Sequence, residues 1–242
     1  MDKPRISVIT IAMNARDDLV RSIMSVREQT GVAYEHIVID GGSTDGSVEW
    51  LRQDNHPCVR WISEPDKGIY DAMNKGIDRV RGEWIYFLSG GDRVLPGVFE
   101  RVGPLLMPNL DVLVGNIRQT DGGRFMGTFS EAMLVSNLIH HQAAFYNRRL
   151  FDSFRYDTSL RAISDYELNL MLYLEKKNVK VVDMDMGLCD MNGISSGLWR
   201  SLTESHQIRA KHMGQAQASL YSVVLGWKYL MLHLRRLKQG LN

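Results

Sequence analysis

Three short apolar runs in the first half of the chain each end on small and acidic residues, and this punctuation constrains the fold more than any other feature. Residues 84–88 (Trp-Ile-Tyr-Phe-Leu) run into Ser89-Gly90-Gly91-Asp92. Residues 6–13 run into Asn14, and 36–39 into Asp40-Gly41-Gly42-Ser43-Thr44-Asp45-Gly46. Glycine lets a backbone approach a ligand closely, and open α/β sheets bind ligands outside the carboxyl ends of their strands. Three such ends together predict a site for a nucleotide and a divalent cation.

The segments between the runs carry helical stripes. Leu19, Ile23 and Val26 follow the strand at 6–11, and Ile69, Met73, Ile77 and Val80 follow the strand at 59–63. Strand 34–40 leads to a short helix near 47–53, and Gly82 stops the third helix before 84–88. Strands alternating with helices favour a parallel sheet of βαβ units. Asn14 is placed to cap the first helix, with Asp17 and Asp18 in its positive first turn.

Beyond Asp92 the pattern changes. Segments 112–117 and 124–129 flank Thr120-Asp121-Gly122-Gly123, a hairpin turn. Segment 139–146 reads as a strand, 165–176 as a helix and 179–183 as a strand. The expectation is an α/β domain over residues 1–200 with a mixed, mainly parallel sheet flanked by helices, its halves dividing near residue 110. A helical tail, 201–242, follows.

Composition excludes several classes. Lys plus Arg (29) nearly balances Asp plus Glu (28), so no global field points to nucleic acid. The two cysteines, Cys58 and Cys189, have no partners at zinc-ligand spacing. The charged start, residues 1–5, leads into an ordinary strand rather than a signal-peptide core, and no apolar stretch reaches the roughly 18 residues of a spanning helix. A cytoplasmic protein is expected, with peripheral attachment to the inner face of the plasma membrane left open.

The motifs, in order, are 7–14 (Ser-Val-Ile-Thr-Ile-Ala-Met-Asn), 37–47, 63–76, 86–92, 140–145 (His-His-Gln-Ala-Ala-Phe) and 163–168 (Ile-Ser-Asp-Tyr-Glu-Leu). Together they resemble glycosyltransferase family 2, inverting enzymes with the Rossmann-like GT-A fold, over roughly residues 6–200. The run 64–76 (Glu-Pro-Asp-Lys-Gly-Ile-Tyr-Asp-Ala-Met-Asn-Lys-Gly) is similar to the subgroup that builds bacterial capsules, O-antigens and colanic-acid-type exopolysaccharides. The resemblance implies transfer from a nucleoside-diphosphate sugar, UDP-linked by default, to a hydroxyl of a growing glycan or lipid-linked glycan. This chain departs from many relatives by carrying Gly41, Ser89 and Gly91 where acidic residues are often found.

Such a transfer needs the leaving diphosphate charge to be stabilised, and Mg²⁺ or Mn²⁺ held mainly by phosphate oxygens can do so. Asp92 is the expected metal ligand; a turn aspartate ahead of Pro96 is the plainer alternative. The resemblance places Asp40 against the base or ribose, Thr10 and Asn14 beside the base, and Asp66 and Lys67 across the nucleoside pocket. Asp45 reads as a turn acid, and Asp71 and Asn74 as either surface pairing or substrate contacts.

Ser164-Asp165-Tyr166-Glu167 has the spacing of a capping box, which occupies Glu167 and leaves Asp165 free in the first turn. Family matching also puts the catalytic base at Asp165, taking the acceptor proton in a single displacement. His141 or His140 would contact acceptor or diphosphate. Residues 192–196 resemble a mobile loop over the donor, with Arg200 or His206 as a charge clamp. The tail, from 219 on, carries a broad apolar helical face and a basic end. It is compatible with a membrane interface; packing against the domain or a second subunit is the plainer reading.

Two rivals stand beside this reading. A sugar-nucleotide nucleotidyltransferase would want a Gly-rich loop with a basic residue straight after the first strand, where Ala12-Met13-Asn14-Ala15 stands. A non-catalytic nucleotide-binding scaffold on the same fold would fit the Gly41, Ser89 and Gly91 departures.

Overall fold

The computed structural model describes residues 3–189 and 198–238. The segment 192–196 and the side chains of Arg235, Arg236 and Lys238 lie outside the described residues.

Residues that alternate faces build the first half. Strands β1 (Ile6–Ala12), β2 (Tyr34–Asp40), β3 (Val59–Ser63) and β4 (Trp84–Ser89) are parallel, joined by helices α1 (Arg16–Arg27), α2 (Ser47–Gln53) and α3 (Ile69–Ile77). The odd-numbered Ile9, Ile11, Ile37, Ile39, Ile85 and Phe87 pack into one core with Tyr70, Met73 and Ile77 of α3. The even-numbered Ile6, Val8, Trp84, Tyr86 and Leu88 pack into another on the opposite face, with Val26 of α1. Each fully buried large side chain contributes about 1.5–3 kcal/mol over its exposed state, so a register slip of one residue is heavily disfavoured.

The second half adds β5 (Arg93–Val94), α4 (Val98–Val102), β6 (Val112–Gln119), β7 (Arg124–Met126), β8 (Ala144–Asn147), α5 (Ser164–Leu174) and β9 (Val179–Cys189). It closes with α6 (Leu198–Met213) and α7 (Gln215–Lys238). The strands form one sheet in the order β3-β2-β1-β4-β8-β6-β9-β5, with β7 paired to β6 as the hairpin signal predicts. The sheet is mixed: β8 runs antiparallel to β4 and β6, while β9 runs parallel to β6.

Three local expectations need correction. The expected strand at 139–146 is shorter: His141–Ala143 forms a 3₁₀ turn and β8 begins at Ala144. The last strand extends to Cys189, through two irregularities in its register with β6. No capping box forms at Ser164. Its hydroxyl accepts from Asp157 N, and Glu167, 3% exposed, is drawn to Lys211 Nζ and His212 Nε2 of α6, both at 2.7 Å. The N–H groups of Arg161, Ala162 and Ile163 donate instead to the Glu204 carboxylate at 2.9–3.0 Å.

Candidate active site

The carboxyl ends of the parallel strands lie in one row: Ala12 pairs with Asp40 and Asp40 with Ser63, while Gly90 N donates to Ile11 O at 2.8 Å. Strands β2 and β4 flank β1 on opposite sides, so the chain leaves β1 in two directions and opens a crevice at that switch point. Asn14 laces the first two loops together at φ 49°, with its N donating to Ser43 Oγ (2.7 Å) and its Oδ1 accepting from Thr44 N (2.9 Å). It does not cap α1; Ala15 holds that position. Asp45 serves the same lacing, accepting from Arg16 N, Ser47 N and Ser47 Oγ.

Two expected nucleoside contacts are inside the protein. Thr10 shares its strand face with Val8, is fully buried, and bonds His36 Nε2 at 2.8 Å. Burial, and next the Arg27 charge, lower that histidine to about 3, so it is neutral. Thr10 therefore does not reach the crevice. Asp40 is also fully buried: its carboxylate accepts from Gly42 N, Ser43 N, Ser43 Oγ and Ser63 Oγ and so shapes the Gly-rich turn. Gly42, at φ +84°, supplies the left-handed step that brings both amides onto this carboxylate.

Asp66 lies across the turn. A Cβ on Gly41 would stand 2.6 Å from Asp66 Oδ2, so the glycine makes room for that carboxylate. Asp66 Oδ1 accepts from Gly68 N, while Lys67 is exposed and donates its backbone N to Asp71 Oδ2. Asp71 also pairs with Lys75, and Asn74 makes two bonds to the Tyr156 backbone.

The loop after β4 is fastened to α1, where Ser22 Oγ accepts from Gly91 N (3.0 Å) and donates to Asp92 O (2.7 Å). This orients the Asp92 side chain, 6% exposed, toward the 3₁₀ turn before β8. Because β8 runs against β4, residues 140–143 necessarily arrive beside the end of β4. Gln142 Nε2 donates to Asp92 Oδ2 at 2.6 Å, and Ser89 N donates to the same oxygen at 3.1 Å. Gln142 is itself held by Tyr86, whose hydroxyl donates to its carbonyl, and by a bond between its Oε1 and His140 Nδ1. Burial raises the Asp92 carboxyl above its ordinary value, with the Gln142 bond and the nearby His141 pulling it back.

His141 connects this group to the second aspartate. Its Nδ1 lies 3.5 Å from Asp165 Oδ2, while its buried Nε2 has no hydrogen-bond partner. Asp165, 9% exposed, stands in the first turn of α5. Asn137 Nδ2 donates to Asp165 Oδ2 at 3.0 Å, and the Tyr70 hydroxyl donates to Oδ1 at 3.4 Å. Burial and the Asp165 charge push the Tyr70 phenol well above its ordinary range, so it remains a donor. Asn137 is fixed in turn by Asn169 Nδ2 at 3.0 Å and by Ile139 N. The 3₁₀ turn thus links the two aspartates, Gln142 bonding Asp92 and its neighbour His141 standing beside Asp165, although they lie 73 positions apart in sequence.

The clamp candidates stand apart. Arg200 is exposed in the first turn of α6, and no side-chain bond joins it to the cluster among the described residues. His206 is tied to Ser222 of α7. No sequence spacing marks Asn137 or Ser22 for these roles, whereas Gln142 and Tyr70 sit inside the quoted motifs.

The donor set fits a divalent ion of the phosphate-bound kind. Both bonds to the Asp92 carboxylate land on Oδ2, and His141, near enough to act on that carboxylate, keeps a buried Nε2 with no partner. No group of three His, Cys, Asp or Glu side chains forms a closed metal cage among the described residues. Magnesium-like ions keep several waters and take one or two carboxylates plus substrate phosphates.

Comparison with known proteins gives consistent matches. The sequence pattern described as Glycosyl transferase family 2 matches residues 7–173. An uncharacterized glycosyltransferase of Mycobacterium tuberculosis H37Rv is 33% identical over 210 residues, 80% of this chain and 78% of the relative. A PGL/p-HBAD biosynthesis glycosyltransferase of the same strain is 30% identical over 183 residues, 72% of this chain and 71% of the relative. Among solved structures, S. aureus TarS in complex with UDP-GlcNAc superposes at TM-score 0.72, with 15% identity, over 91% of this chain and 71% of that one. The mannosyltransferase PcManGT of Pyrobaculum calidifontis, in complex with GDP-Man and Mn²⁺, does so at 0.67, with 15% identity, over 96% and 81%. These likenesses show the GT-A-like fold.

Proposed function

The chain belongs to glycosyltransferase family 2, and on that premise we propose that it transfers a sugar, with inversion, from a nucleoside-diphosphate sugar to a hydroxyl of a surface glycan or lipid-linked glycan. One observation supports this reading: Asp92 and Asp165 both face the 3₁₀ turn before β8, Asp92 bonded to Gln142 and Asp165 beside His141. A single displacement needs one group near the departing diphosphate and another near the attacking hydroxyl, and no enzyme nucleophile.

Asp92 Oδ1 would hold Mg²⁺ or Mn²⁺ together with diphosphate oxygens, and such an ion supplies Lewis-acid stabilisation of the departing charge. His141 Nε2 would donate to a diphosphate oxygen while Nδ1 stays beside Asp165. Asp165 would take the proton of the acceptor hydroxyl, with Asn137 and Tyr70 holding its carboxylate still. Asn14, Asp66 and Lys67 would contact the nucleoside. UDP is the first donor to test, as TarS was solved in complex with UDP-GlcNAc; GDP is the second, as PcManGT was solved in complex with GDP-Man. The relative named for PGL/p-HBAD biosynthesis supports a glycolipid acceptor.

The test is a panel of UDP-, GDP- and dTDP-sugars, scored by thermal stabilisation with and without Mn²⁺ and by slow donor hydrolysis. Stabilisation by one nucleotide class that requires the metal, with hydrolysis of that donor, is the expected result. Stabilisation and hydrolysis by none of them would overturn the reading.

A further inference from the structure

Helix α7 is apolar on two opposite faces. Ala218 and Leu225 are buried, and Ser222 on the same side accepts from Arg209 of α6. The other side exposes Leu220, Val223, Val224, Trp227, Leu230 and Leu234, at 42–72% of their surface. Their spacing of three and four residues aligns them along about 21 Å of helix. A solvent-facing stripe of this length, on a helix already packed by its other face, marks an interaction surface.

Charge identifies what covers it. No Asp or Glu occurs after Glu204, while Lys228, Arg235, Arg236 and Lys238 fall in the same helix. A second copy pairing through this stripe would meet only like charges, whereas helix pairs of this spacing draw on opposite charges beside the seam. A helix that combines an exposed apolar face with only basic charge in its sequence suits the headgroup region of an anionic bilayer.

We propose that the outward stripe of α7 docks the protein on an anionic lipid surface. The docking helix also touches the base side of the cleft: Lys228 Nζ lies 3.5 Å from Ser136 Oγ, and the Arg209 guanidinium that holds Ser222 donates to Val135 O at 2.7 Å. The next residue but one is Asn137, which holds Asp165. Docking therefore sets the Asp165 side of the site near lipid, which is where a lipid-linked acceptor would lie. Only that last consequence rests on the proposed transferase reaction; the docking itself does not.

The test is sedimentation of the full chain with phosphatidylcholine vesicles and with vesicles that also contain phosphatidylglycerol, in the absence of donor and acceptor. The expected result is binding to the anionic vesicles, weakened by salt, and reduced about tenfold or more in Trp227→Ser/Leu230→Ser. Leu220→Gln/Val223→Gln, at the other end of the stripe, should behave alike, and both variants should keep the wild-type circular dichroism and melting curve. Wild-type protein left in the supernatant with anionic vesicles would overturn the proposal, as would folded variants that bind as the wild type does. A wild-type dimer turned to monomer by either variant, with no vesicle binding, would overturn it by showing that a second copy covers the stripe.

Discussion

Replacing Asp165 by asparagine separates chemistry from structure unusually well. In the folded protein the carboxylate accepts from Asn137 Nδ2 on Oδ2 and from the Tyr70 hydroxyl on Oδ1. An asparagine with its amide oxygen at the Oδ2 position keeps the first bond. Its NH₂ then faces the phenol, which can rotate to accept. What is lost is one weak hydrogen bond and the 3.5 Å contact with His141 Nδ1, about 1 kcal/mol net once the removed buried charge is counted. The melting temperature should move by less than about 4 °C. The amide cannot take a proton, however, and general-base contributions of 10²–10⁴-fold correspond to about 3–5 kcal/mol of barrier. The assay compares transfer or donor hydrolysis in Asp165→Asn and wild type at saturating donor, beside melting curves with and without nucleotide. A loss of about 100-fold or more with intact folding and nucleotide-dependent stabilisation is expected. Activity within about threefold of wild type would refute the assignment of the base, and so would a loss matched by a collapse in stability.

The supporting shell gives three further expectations. Asn137→Ala removes the donor to Asp165 and should lower kcat about tenfold with the donor KM unchanged, read from steady-state kinetics. Glu204→Ala leaves the N–H groups of Arg161, Ala162 and Ile163 without their acceptor; it should cost about 2–4 kcal/mol, seen as a clear drop in melting temperature. His36 titrates near 6.5 when unfolded and at about 3 when buried. Between those values the unfolded chain binds a proton that the folded chain refuses, so stability is full above pH 6.5 and falls as the pH drops toward 3. The loss is on the order of 4 kcal/mol, and denaturation curves of His36→Gln should lack that part of the acid limb.

The first half of the fold was legible because its information is local. Strand parity sorts Ile85 and Phe87 from Trp84 and Tyr86, and the Ile69–Met73–Ile77 stripe predicts α3. The same parity, applied to Thr10, would have placed it beside Val8 and under α1 rather than in the crevice. The capping box failed for a different reason. Its Ser-x-x-Glu spacing is real, but Lys211 and His212 offer Glu167 hydrogen-bond donors some forty-five residues away, and Glu204 takes the N–H groups of the backbone leading into the helix. Nothing local distinguishes these outcomes. Asn137 was equally silent, since its role exists only where the segment before β8 crosses the start of α5. Asp92 and Asp165 could be named from motifs, yet their approach to one 3₁₀ turn depends on β8 running against β4, a pairing no spacing encodes.

In the proposed reaction Asp92 is the one protein carboxylate on which metal-dependent donor binding rests. Calorimetric titration of UDP or GDP, with and without Mn²⁺, into wild type and Asp92→Asn tests it most directly. The wild type should bind nucleotide more tightly with Mn²⁺. That gain should fade on acidification at a higher pH than an ordinary carboxylate would give, because burial raises the Asp92 carboxyl. The folded Asp92→Asn protein should show no gain from the metal. An undiminished Mn²⁺ effect in that variant would contradict the account.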